Sequence, residues 1–123
     1  MLTDPQSITV ATVAHSMPKI SNSGMHSFYQ SLDTLWSLDI THRVVTRDKK
    51  RRVVSLAVFT QKKVVPDPLT SVNDYETLSE SLQIDRPEAG FTSTEVSDQW
   101  TGLSSWLSAS SNAIVLKLYG RES

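Results

Sequence analysis

Two stretches with a two-residue period flank a short cationic segment, and this arrangement constrains the fold more than any other feature. In "LWSLDITHRVV" (Leu35 to Val45), Trp36, Leu38, Ile40, His42 and Val44 fall on one side, and Ser37, Asp39, Thr41 and Arg43 on the other. In "RRVVSLAVFTQ" (Arg51 to Gln61), Val54, Leu56 and Val58 share one face, and Ser55, Ala57, Phe59 and Gln61 the other, less cleanly. Side chains of a strand alternate between its faces, so each stretch predicts a long half-buried strand. The segment between them, "RDKKRR" (Arg47 to Arg52), holds five cations and one acid. It is predicted at the tip of a long hairpin.

Charge is segregated along the chain. Arg43 to Lys63 holds eight Lys/Arg and one Asp, while the rest holds four Lys/Arg and twelve Asp/Glu, under a net charge of -1. A concentrated cationic patch is a candidate polyanion site. The competing reading is a solvated turn that protects a sheet edge from aggregation.

The remaining strands are shorter. "SITVATVA" (Ser7 to Ala14) alternates and shifts phase near Thr12, and "SMPKIS" (Ser16 to Ser21) follows as its hairpin partner. Pro18 assigns that second run to an edge. "SNSG" (Ser21 to Gly24) is a turn, and "HSFYQS" (His26 to Ser31) is an aromatic strand. "PDPLTSVN" (Pro66 to Asn73) is a loop, because its prolines cannot donate to a ladder. "YETLSESLQID" (Tyr75 to Asp85) is a last strand, with Tyr75, Thr77, Ser79, Ser81 and Gln83 on one face.

Helix signals begin after Pro87 and Gly90. "TSTE" places Thr92 as an N-cap with Glu95 at the third helical position. Val96, Trp100, Leu103 and Leu107 then form one helical face. A second helix is predicted from Asn112 to Tyr119, ending at Gly120. Its "AIVLKLYG" is apolar nearly all round, and such a helix is normally surrounded by protein. One sheet covers only one side of it. The prediction is an intertwined homodimer, with Trp100, Leu103, Trp106, Leu107, Ile114, Val115 and Leu118 at the interface; the alternative is a frayed helix on a monomer. The whole is one α+β domain: hairpin 1–24, five-stranded antiparallel sheet 25–86, helices 92–120.

Chemistry-bearing patterns are sparse. There is no cysteine, hence no disulfide or thiolate, and the redox compartment stays open. No nucleophile elbow, P-loop or dinucleotide fingerprint occurs. His15, His26 and His42 lack metal-ligand spacing. Glu76 and Glu80 share a face about 13 Å apart by strand rise, which favours polar contacts on the dimer side over an acid/base pair. No cofactor, metal, small-molecule substrate or catalytic residue is expected. The acidic, polar "MLTDPQSITV" predicts no signal peptide, and no apolar run approaches a membrane span, so a soluble cytoplasmic protein is expected. The hydroxyl- and amide-bearing strand faces beside a basic tip suit phosphates, 2′-hydroxyls and base edges.

Several segments resemble the coat proteins of single-stranded RNA bacteriophages (leviviruses). They are "DPQSITV", "DPLT" (Asp67 to Thr70), "DRPEAGFT" (Asp85 to Thr92), "WLSASSNA" (Trp106 to Ala113) and the end "LYGRES", in the same order over nearly the whole chain. The resemblance implies a dimer whose sheets join edge to edge into ten strands, with each chain's helices across the partner. Dimers would build an icosahedral shell in the bacterial cytoplasm, with the sheet facing genomic RNA inside the virion. A dimer would also bind an RNA hairpin and repress translation. A dimeric RNA-binding regulator that forms no shell is the alternative.

Carried over by position, the RNA face would be Ser37, Asp39, Thr41 and Arg43, then Ser55, Ala57 and Gln61, then Tyr75, Thr77, Ser79, Ser81 and Gln83. Arg47, Lys49, Lys50, Arg51 and Arg52 border it. Pro66, Asp67, Pro68, Leu69, Thr70 and Asn73 would form the loop that contacts neighbouring subunits. The chain departs from the family in places. Ala57 and Phe59 stand where polar base contacts are common, and Thr77 stands where a stacking tyrosine is often found, with Tyr75 two residues earlier.

Overall fold

The computed structural model describes residues 2–66, 68–69 and 73–122. It divides into two units, Met1–Glu88 and Ala89–Ser123. The first unit carries a two-stranded hairpin, β1 (Gln6–Val10) and β2 (Val13–Met17). It also carries a five-stranded antiparallel sheet in chain order: β3 (Lys19–Ser23), β4 (His26–Gln30), β5 (Trp36–Arg47), β6 (Lys50–Pro66) and β7 (Asn73–Pro87).

The phase shift at Thr12 is the hairpin turn itself. Ala11 and Thr12 have φ of 50° and 68°, and Val10 pairs with Val13 across them. A turn of this kind usually carries Asn or Gly; neither is present, so the sequence reads through it as one strand. The expected second strand is divided in consequence. Ser16 and Met17 end β2, whereas Lys19 to Ser21 belong to β3, an edge of the large sheet. Pro18 lies between them, and the hairpin ends at Met17 instead of residue 24.

The core forms where the hairpin covers one face of the sheet. Met17 is 0% exposed and Tyr29 1%, with Leu38 beside them, and Ile8, Trp36, Ile40 and Phe59 packed around. His15 stacks on Trp36 with ring centroids 3.9 Å apart, and Trp36 stacks on Phe59 at 5.6 Å. Asp33 closes the β4–β5 connection by accepting from Ser31 Oγ at 2.5 Å and from the Leu35 N–H at 3.0 Å. These bonds, the Ser31 one foremost, hold the Asp33 carboxyl below its ordinary value.

β5 and β6 form the predicted long hairpin, with Arg47 paired to Lys50 across a two-residue turn. Asp48 and Lys49 have φ of 54° and 63°, the left-handed pair that matches strand twist but strains a lysine. Lys49→Gly is therefore expected to stabilise the fold by about 1 kcal/mol. The readout is a higher urea midpoint at an unchanged slope.

The second unit contains one helical element, α1 (Ser93–Tyr119), made of two helical stretches joined across a kink, where the sequence predicts two helices. Thr92 caps it as expected, its Oγ1 accepting from the Glu95 N–H at 3.2 Å. Helical dihedrals break inside α1: Ala109 has ψ 144°, and Ser110, Ser111 and Asn112 have φ of 53°, 58° and 67°. Ser and Asn compete with helical hydrogen bonds through their own side chains, which accounts for the kink's place. At the end, the Gly120 N–H donates to the Leu116 carbonyl at 3.0 Å. α1 buries none of its residues. No helix among the described residues is long and apolar enough to cross a membrane.

Candidate nucleic-acid interface

Residues opposite each other on neighbouring antiparallel strands share a face. The β5–β6 register pairs Ser37 with Thr60, Asp39 with Val58, Thr41 with Leu56 and Arg43 with Val54. The β6–β7 register then pairs Val54 with Asp85, Leu56 with Gln83, Val58 with Ser81, Thr60 with Ser79, Lys62 with Thr77 and Val64 with Tyr75. One face thus unites Ser37, Asp39, Thr41 and Arg43 with Tyr75, Thr77, Ser79, Ser81 and Gln83, as the sequence predicts. It lies opposite the face that carries Tyr29, Leu38 and Ile40 under the hairpin.

The contribution of β6 is corrected. Ser55 pairs with His42 and Ile84, Ala57 with Ile40 and Leu82, and Gln61 with Trp36 and Leu78. These three lie on the hairpin's side of the sheet. His42 Nδ1 and Ser55 Oγ are 2.9 Å apart there. The polar face takes Val54, Leu56, Val58, Thr60 and Lys62 instead, an aliphatic stripe between hydroxyl-bearing neighbours. β6 is central and carries aliphatic residues on both sides, so its alternation alone does not reveal which side is which.

The register also adds His26, opposite Thr41, and Gln30, opposite Ser37. Sequence reasoning missed these, with Thr60 and Lys62. The signal was a pairing partner already placed on the face, which needs the register. Three contacts organise the surface. His26 Nε2 and Asp39 Oδ1 lie 2.6 Å apart. Thr60 Oγ1 and Ser79 Oγ lie 3.0 Å apart. Lys62 Nζ sits 4.4 Å from the centroid of the Tyr75 ring, which is a cation–π contact. Tyr75 keeps 56% of its surface exposed.

At the tip, Arg47, Lys50 and Arg52 lie on the polar face, while Arg51 pairs with Thr46 on the opposite one. Arg52 Nε donates to Asp85 Oδ1 at 2.8 Å, and Arg47 Nη1 donates to Asp85 Oδ2 at 3.4 Å. Arg51 Nε lies 3.5 Å from Glu88 Oε2. The fold thus brings two acids from the end of β7 and beyond onto a tip that reads as almost wholly cationic. Lys49 and Lys50 have no acid within ion-pair distance among the described residues.

Asp85 is held below the ordinary carboxylate value of 3.8, chiefly by the Arg52 hydrogen bond and then by the Arg52 and Arg47 charges, against partial burial. A lowered folded value stabilises the fold above the unfolded value, and that contribution is lost as pH falls through the folded value. Asp85→Asn should therefore narrow the drop in urea midpoint between about pH 6 and about pH 3 relative to wild type. An unchanged drop would show that Asp85 is not the titrating link.

The other predicted contacts are placed as follows. Trp100, Leu103, Trp106 and Leu118 are 44%, 44%, 54% and 57% exposed, and Val115, Leu107 and Ile114 are exposed or half-buried. Pro66 ends β6 opposite Asn73, and Pro68 and Leu69 are exposed. Asp67 and Thr70 lie outside the described residues. No group of three or more potential metal ligands occurs among the described residues.

No protein-family profile matches the sequence, and no curated protein is similar to it in sequence. Solved structures do match in fold. A chain from the virus-like particle of Beihai levi-like virus 21 is 13% identical, with a TM-score of 0.73 over 100% of this chain and 97% of that one. A chain from the virus-like particle of bacteriophage AVE019 is 15% identical, with a TM-score of 0.71 over 89% of this chain and 90% of that one. The hairpin, five-stranded antiparallel sheet and C-terminal helical element are therefore the fold of chains that occur in virus-like particles of a bacteriophage and of a levi-like virus.

Proposed function

We propose that this chain is the structural capsid protein of a single-stranded RNA phage. Two copies pair through β7 into a ten-stranded sheet, α1 lies across the partner, and dimers close into an icosahedral shell. Genomic RNA lies on the face of Ser37, Asp39, Thr41, Thr60, Lys62 and Tyr75, bordered by the cationic tip. The shell assembles in the bacterial cytoplasm and becomes the virion. An RNA hairpin bound for translational repression would use the same face.

One observation carries this reading. A fold shared with virus-like particles leaves large apolar side chains uncovered on α1 while β7 offers a fifteen-residue strand at the sheet edge. Such an edge invites a further strand, and exposed Trp and Leu of this number invite a partner. Leu78, on the hairpin's side of β7, is 61% exposed and offers apolar surface to a helix from another copy.

Electron microscopy and size-exclusion chromatography of the purified protein test the proposal. Particles of uniform size containing RNA are expected. Dimers alone, with RNA bound, would overturn the shell and leave the dimeric regulator.

A further inference from the structure

The two arginines that share Asp85 are held differently. Arg52 makes two contacts: Nε to Oδ1 at 2.8 Å, and Nη2 to the Asp85 backbone carbonyl at 3.3 Å. Its side chain is 29% exposed. Arg47 reaches the same carboxylate through one contact of 3.4 Å and is 62% exposed. Between Arg43 and Asp85 in register lies Val54, 2% exposed. One end of this cluster is thus packed down and the other is loose.

We infer that Asp85 is an internal competitor for phosphate: RNA takes Arg47 from it on binding, while Arg52 stays fastened to β7 as a strut. The inference rests on the proposed placement of RNA on this face. A carboxylate and a phosphodiester each offer a guanidinium two acceptor oxygens and one negative charge, so one can replace the other. A single exposed contact is weak and exchanges at little cost. The two-point Arg52 contact, one half of it to backbone, has no such freedom. An occupied arm lowers apparent affinity by the fraction of time it is unavailable. The penalty falls hardest on ligands with few charges, since a long polyanion makes up the loss through its other contacts. Asp85 therefore sharpens preference for extended nucleic acid over small anions.

Binding of a single-stranded oligouridylate to the chain freed of nucleic acid, across a salt series, tests this. D85N keeps an oxygen for Arg52 and releases Arg47. It is expected to bind roughly threefold to tenfold tighter at low salt, with the slope of log K against log salt little changed, since Arg47 meets phosphate in both complexes. R47Q is expected to weaken binding and flatten the slope by about 0.7 per chain, and D85N/R47Q should behave as R47Q. R52Q should lower the thermal midpoint, as loss of a strut would. Unchanged or weaker binding by D85N, or a gain that persists in the double variant, overturns the inference. Unchanged binding by R47Q overturns it as well, even where D85N does not fold. A wild-type chain that binds no oligouridylate would instead overturn the RNA reading itself.

Discussion

Trp106→Ala is expected to destabilise the protein by about 3–5 kcal/mol and to abolish particle formation, the cost of truncating a fully buried tryptophan. Within one chain Trp106 keeps 54% of its surface in solvent. The chain alone thus accounts for about half of that figure, because the effect scales with apolar area withdrawn from water. The rest requires a second copy. Urea unfolding at protein concentrations spanning about a hundredfold separates the contributions. A wild-type midpoint that rises with concentration marks a stability shared between chains. In Trp106→Ala that dependence should be weakened or lost. A loss of about 2 kcal/mol or less, with a wild-type midpoint indifferent to concentration, would leave α1 on a monomer and remove the clasped dimer.

The second large effect concerns nucleic acid. Replacing Arg47, Lys49 and Lys50 together by Ser should weaken single-stranded RNA binding roughly a thousandfold at about 0.1 M salt. In the proposed dimer six cations would be lost, and the slope of log K against log salt should move from about -4 toward zero. These three are chosen because Lys49 and Lys50 are exposed with no acid at ion-pair distance among the described residues, and Arg47 is held by one long contact. Arg52 is fastened to Asp85, and Arg51 pairs with Thr46 on the opposite face. Exposed sites of this kind change stability by about 0.5 kcal/mol or less. Lost affinity therefore cannot be put down to unfolding if the thermal midpoint holds. Retained affinity would assign the tip to solubility and leave RNA, if bound, to the flat of the sheet. The two experiments are independent: one reads stability and its dependence on protein concentration, the other reads RNA affinity.

Much of this protein was legible from its residues. The alternation from Leu35 to Val45 and from Tyr75 to Asp85 located β5 and β7 and told their two faces apart, because polar and apolar residues there take opposite phases. Thr92 and Glu95 marked the start of α1, because a hydroxyl three residues before an acid meets the unpaired N–H groups of a first turn. The hairpin tip was placed for the same local reason: charge without alternation between two strands.

Tertiary structure decided the rest. The Ala11–Thr12 turn has no residue that announces left-handed backbone, so only its pairing reveals it. Which side of β6 joins Ser37 and Thr41 depends on register: the more apolar side, Val54, Leu56 and Val58, is the one that joins them. The charge of the tip depends on Asp85, 38 residues from Arg47, which arrives through the β6–β7 ladder. Local sequence determines periodicity and capping, which involve neighbours within a turn or a strand. Which face meets which, and which acid meets which arginine, is set by pairing between distant strands.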